Sequence, residues 1–114
     1  MLYNVGEWNA QKGRQGVNKA RIVQRTEYPH IVKVEGVCGG DAIIEGTRIA
    51  VWHVVDYYYK VGMTVEEFLA DWDYLNPAAV FSALAYYHDH KEEIDQLRYE
   101  NSYEAWLEQH AQPA

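Results

Sequence analysis

Residues 36–52 read G-V-C-G-G-D-A-I-I-E-G-T-R-I-A-V-W, with glycines bracketing two short runs rich in β-branched side chains. Ala42 to Ile44 and Thr47 to Ile49 have strand propensity, and Glu45-Gly46 sits between them where a tight turn calls for positive φ. Gly39 and Gly40 add backbone freedom just ahead of the first run. The stretch therefore predicts a hairpin that feeds a helix starting at about Ala50 or Val51. It contains no catalytic constellation.

Outward from this segment, composition bounds the rest. A chain of 114 residues, 48% hydrophobic and 24% charged, suits one compact domain with tails and a small core. Cys38 is the single cysteine, so no intramolecular disulfide is expected. No apolar run approaches the ~20 residues of a membrane span, and no signal pattern opens the chain, so a cytoplasmic location is expected. The net charge of -7 divides unevenly. Residues 1–35 hold six Lys/Arg against three Asp/Glu, whereas residues 36–114 hold four against fourteen. An acidic body of this kind repels nucleic acid, and only the leading segment could attract it.

Three regions are expected: a flexible basic arm over 1–27, a helical domain with a β-hairpin over 28–98, and a tail over 99–114. The arm carries Lys12, Arg14, Lys19, Arg21 and Arg25 among polar residues and glycines, with no sustained periodicity. It is either a phosphate-contacting arm or a solvated leader, since no aromatics interleave its cations. Ile31, Val32 and Val34 around Lys33 predict a short strand that pairs with the hairpin.

Helices are predicted over about 51–61, 65–71, 77–88 and 91–100. In the first, Val51, Val54, Val55, Tyr58 and Val61 form the core stripe, while Trp52, Asp56 and Tyr59 share an adjacent face that could serve a homodimer. Thr64-Val65-Glu66-Glu67 is a capping box that starts the second. Asn76 caps the third, with Pro77 at its first position and Val80, Phe81, Leu84 and Tyr87 as its stripe. Two short helices joined by a tight turn after a third helix are the layout of a helix-turn-helix unit. The third helix would then be the reading helix, yet its early residues are Asn76, Pro77, Ala78, Ala79 and Ser82, without Arg or Lys. That surface suits a protein partner better than base edges. In the tail, Tyr99, Tyr103, Trp106, Leu107 and His110 fall opposite Ile94 and Leu97 on a continuous helix. Either the stripe docks on a partner, or the helix breaks near Asn101-Ser102 and the tail folds back.

Little in the sequence points to chemistry. His88 and His90 flank Asp89, but side chains two apart on a helix diverge, whereas helical metal sites use spacings of three or four. Cys38 shows no neighbouring base and reads as a small buried apolar residue. Glu66/Glu67 and Glu92/Glu93 sit at helix starts, where carboxylates complement the dipole. No catalytic residue, metal or cofactor is expected.

From about His30 to Asp95 the chain resembles the prokaryotic family catalogued as domain of unknown function 433. The resemblance rests on a G-V-C-G-G segment at Gly36 to Gly40, a G-T-R-I segment at Gly46 to Ile49, and a G-M-T-x-E-E-like helix start at Gly62 to Glu67. Family members commonly carry a basic residue and proline at positions 41 and 42, and often proline at 50. This chain has Asp41, Ala42 and Ala50, which weakens any nucleic-acid contact carried over to position 41. The resemblance implies a mainly α, homeodomain-like trihelical helix-turn-helix fold with a short N-terminal β-element. It also implies a non-enzymatic antitoxin of a type II toxin-antitoxin system that neutralises a PIN-like ribonuclease toxin and contributes to autoregulation. On this reading Gly36, Gly39, Gly40, Gly46, Thr47 and Arg48 are structural, with Arg48 either bonding carbonyls of the preceding loop or standing as a surface cation. Two other classes fit the residues: a DNA-binding regulator without a toxin, and a structural or oligomerisation module.

Overall fold

The computed structural model describes residues 2–4 and 21–111. The chain is mostly helical, with a small antiparallel sheet packed against the helices. Strands β2 (Ile22–Arg25), β3 (Ile31–Val34) and β4 (Ala42–Ile44) pair in chain order, and β1 (Leu2–Asn4) adds at the β2 edge. β2 falls inside the stretch read as an arm, because Val23 fills an apolar pocket and Glu35 N–H donates to Ile22 carbonyl, extending the ladder. Lys12, Arg14 and Lys19 lie outside the described residues. Of the other arm cations, Arg21 is exposed, while Arg25 makes two hydrogen bonds to Glu45, at 2.9 and 2.5 Å.

The sheet has two buried faces because successive side chains alternate. Ile31 and Ile44, directly paired, turn toward the helices. Val32 and Ile43, the next pair, join Val23, Val37 and Ala50 in a second, smaller cluster. The second arm of the expected hairpin is not a strand. Thr47 turns inward instead: its Oγ donates to Ile44 carbonyl at 2.7 Å and accepts from Ile49 N–H at 2.9 Å. That leaves one bridge, Ile43 to Ala50, and a bond from Ile44 N–H to Ile49 carbonyl covering the outer edge of β4. Local hydroxyl bonding here outcompetes β propensity.

Gly46 sits at φ 82°, in the turn itself, and a Cβ there would meet nothing within 4 Å. A Gly46→Ala substitution should therefore cost about 1 kcal/mol through backbone conformation alone. Chemical denaturation with an unchanged slope and a lowered midpoint would show this; an unshifted midpoint would refute it.

Helix α1 runs Val51–Val55 and continues as a π-helical stretch over Asp56–Val61, closed by Gly62 at φ 88°. The wider π turns shift the phase after Asp56. Tyr57 consequently packs between Phe68 and Trp72, with ring centroids 5.8 and 5.3 Å away. Tyr58 and Val61, expected in the core, are 39% and 64% exposed. α2 (Val65–Asp71) opens with the expected capping box, in which Thr64 Oγ accepts from Glu67 N–H at 3.1 Å and Thr64 N–H donates to the Glu67 carboxylate at 2.9 Å. α3 (Pro77–Asp89) opens on Asn76, which accepts from Ala78 N–H at 2.9 Å.

α3 buries Ala79, Val80, Ala83, Tyr86 and Tyr87, so Val80 and Tyr87 face the core as read from the sequence. Phe81 does not: it is 57% exposed. The helix is apolar on nearly every side, and helical spacing alone admits both stripes. α4 (Lys91–Glu100) buries Ile94 and half-buries Leu97. Arg98 fastens its end to α1 by donating from Nε to Asp56 at 2.6 Å, and from Nη1 to Tyr87 Oη at 3.1 Å and Asp95 at 3.0 Å.

A polar network joins the β2–β3 connection to the α3–α4 corner. Tyr28 donates to Asp89, the His90 ring shares a hydrogen bond with Glu27 at 2.8 Å, and Tyr86 donates to Glu93, which also meets Lys33 at 3.2 Å. Tyr86 stacks on His90, with centroids 4.1 Å apart. Burial, reinforced by the charge of Glu93 and its hydrogen bond, pushes the Tyr86 phenol well above the usual tyrosine range. Below the unfolded phenol pKa of about 10 both states hold this proton. Above it the unfolded chain releases the proton and the folded chain keeps it, so stability falls as pH rises. Tyr86→Phe should flatten that alkaline loss, and denaturant midpoints across pH 9–11 would reveal an unchanged slope if the phenol were not responsible.

Candidate functional site

The tail resolves in favour of a break. Asn101 amide donates from Nδ2 to Leu97 carbonyl at 2.8 Å, and Ser102 hydroxyl donates to Tyr99 carbonyl at 2.6 Å. Ser102 Oγ then accepts from Ala105 N–H at 3.1 Å, capping helix α5 (Tyr103–His110). These side chains end α4 and restart the chain at a new angle, the work expected of Asn and Ser at helix boundaries. α5 lies against α4, burying Ala105 alone of its residues. Tyr99 of α4 donates to Glu108 of α5, and that bond raises the phenol's pKa.

With Ala105 inward, Tyr103, Trp106, Leu107 and His110 occupy the opposite side of α5 by helical spacing. Their rings form a ladder: Tyr103 stacks on Trp106 at 6.0 Å between centroids, and Trp106 on His110 at 4.3 Å. Trp106 is 51% and Tyr103 67% exposed. Leu107 of the same helix is exposed, as is Tyr99 of α4. The fold thus leaves exposed all four residues that the sequence assigned to a partner, three of them on α5, and it also folds the tail back against α4. The two expectations were posed as alternatives, yet burial of so small a residue as Ala105 leaves the aromatic face outward. Residues 91–114 hold six acidic side chains against Lys91 and Arg98, and Glu104 and Glu108 share α5 with the ladder.

The expected dimer face does not assemble as read. Asp56 is held by Arg98, and Trp52 bridges the two core clusters and stacks on His53 at 5.0 Å. Tyr59 alone stays outward, sharing a 2.7 Å hydrogen bond with His88 Nε2. His88 and His90 diverge to Tyr59 and Glu27 respectively. Among the described residues no three His, Cys, Asp or Glu side chains gather as a metal site.

The glycine motif shapes backbone. Gly36, Cys38, Gly39 and Gly40 all have positive φ, and Cys38, read as buried, is only partly so, because the turn holds its Sγ 3.2 Å from Arg48 carbonyl, to which it donates. Arg48 contributes that carbonyl; among the described residues its exposed guanidinium bonds none of the loop's carbonyls, because it points from the hairpin end into solvent. A hollow of about 250 Å³ separates the Glu45-Gly46-Thr47 turn from the start of α3, bordered by His30, Tyr74 and Asn76.

The family model described as "Protein of unknown function (DUF433)" matches residues 31–87, half of the chain. The chain belongs to the DUF433 family. The match spans β3 to α3 and stops before α4, so the aromatic ladder lies beyond it. A crystal structure of a DUF433 member protein from Anabaena variabilis ATCC 29413 is 38% identical, with a TM-score of 0.58, covering 60% of this chain and 67% of that one. No curated protein matches the chain. No helix among the described residues is long and apolar enough to cross a membrane.

Proposed function

We propose that this DUF433 protein is the antitoxin of a type II toxin-antitoxin pair, a cytoplasmic protein without catalytic activity that binds and neutralises a PIN-like ribonuclease. The observation that carries the reading is the α5 ladder: aromatic rings stacked in solvent on an acidic tail. Large exposed aromatics serve as interface anchors. The acidic composition of the tail complements a basic RNA-binding groove better than an acidic, metal-holding active site, so the ladder would act by competing with RNA. The domain resemblance supports the same class, and α1, α2 and α3, with the short connection Trp72 to Asn76, fit a homeodomain-like trihelical unit. Autoregulation would depend on the toxin or on the N-terminal cations, because α3 exposes Ala78, Phe81 and Ala85 where a DNA reader carries polar or basic side chains.

The test is co-expression with a PIN-like protein encoded beside this gene. Rescue of growth, and purification of the two chains as one complex with suppressed ribonuclease activity, is the expected result. Separate elution with undiminished ribonuclease activity would overturn the proposal.

A further inference from the structure

α3 carries a second apolar seam that its own domain does not use. Ala78, Phe81, Ala85 and His88 recur at spacings of three, four and three, the pattern of a helix-packing seam. At about 100° per residue they lie opposite the buried set Ala79, Val80, Ala83, Tyr86 and Tyr87. From Pro77 to Tyr87 the helix has no charged side chain, and all four seam residues are exposed. A helix apolar all round belongs in an interior, yet this one is covered on one side only. The π stretch of α1 extends the face, since Tyr59 binds His88 and contacts Tyr58 edge-on, and Tyr58 lines a common hollow with Leu84.

We propose that this face joins two copies of the chain in a two-fold dimer centred on Phe81. Charge selects the occupant. Residues 36–114 carry ten more acidic than basic side chains, so two copies meet with least repulsion where carboxylates are missing. Tyr57 to Val61 and Pro77 to His88 contain none, and Lys60 is their single formal charge. The tail around the α5 ladder, by contrast, holds six acidic side chains over 91–114 against two basic ones, so pairing two copies there would bring like charges together. The α3 seam is also self-complementary: Phe81 projects between Ala78 and Ala85, whose small side chains leave room for the partner's ring. Phe81, Tyr58 and Tyr59 expose on the order of 300 Å² of side chain. That is a little over a third of the ~800 Å² each partner contributes to a stable interface, and the rest would come from the alanines and the surrounding rim. This places the dimer contact on the helix that would otherwise read DNA, and retains only Tyr59 of the face read from the sequence. It is independent of toxin binding.

Sedimentation equilibrium of the full chain alone should give the mass of two chains. Phe81→Glu should weaken dimerisation by at least ~30-fold without altering the circular dichroism spectrum, because the ring is already exposed. Ala85→Glu should do the same, and it decides the matter if the Phe81 variant fails to fold. Trp106→Ala should leave the dimer intact. A monomeric wild-type chain, or a dimer indifferent to a folded seam variant, would overturn the proposal; so would a monomer that Phe81→Glu destabilises, which would put another segment of the same chain on the seam.

Discussion

Replacing Ile94 with alanine should lower the stability of the isolated chain by about 3 kcal/mol and the melting temperature by roughly 10–20 °C. Ile94 is fully buried and is the single buried residue of α4. It inserts into the same cluster as Val51, Val54, Ala83 and Tyr87, and the lost methylenes leave a void among β-branched and aromatic side chains that have little freedom to collapse. The Arg98–Asp56 pair cannot compensate, because it is about one quarter exposed on both sides and partly exposed ion pairs contribute little. Leu107→Ala, at an exposed position, is the control and should change stability by about 0.5 kcal/mol or less. Thermal melts of the two variants side by side decide this: equal melting temperatures would mean that α4 is held by polar contacts rather than by Ile94. At low temperature the folded fraction of Ile94→Ala should still bind the proposed ribonuclease partner, since the ladder on α5 is untouched.

Trp106→Ala should show the reverse pattern. Trp106 is the middle ring of the ladder, stacked on both sides and half exposed, so truncation removes partner contact and almost no core. Tryptophan anchors at interface centres typically account for about 2 kcal/mol or more, so affinity for the proposed ribonuclease partner should fall by at least ~30-fold. The melting temperature of the free protein should shift by no more than about 2 °C. Calorimetric titration against the ribonuclease measures the first quantity and a thermal melt the second. Unchanged affinity would move the contact off α5; a large loss of stability would show that the indole belongs to the fold.

These two residues mark what separate levels of information supply. Ile94 was legible as core and the ladder as a second stripe, because capping chemistry and helical periodicity are local. The same holds for Thr64 with Glu67, for Asn76 with Pro77, and for Asn101-Ser102, where side chains bond backbone groups a few residues away. The family, too, followed from short motifs whose glycines hold backbone conformations closed to other residues. What periodicity could not choose was the face of α3. Its residues are apolar on every side, so Val80 and Phe81 were equivalent until α1 and the sheet packed against one of them. Nor could it foresee the π turns after Asp56, which exchange Tyr57 for Tyr58 in the core. The strand at Ile22–Arg25 was hidden for the same kind of reason: four residues gain their regularity from β3 alongside them, with the Arg25–Glu45 contact spanning twenty positions. Sequence by itself determined where the first four helices begin and end and to which family the chain belongs. Tertiary packing decided which apolar faces are used up and which remain outward for partners, because burial is a property of neighbours brought together from distant parts of the chain.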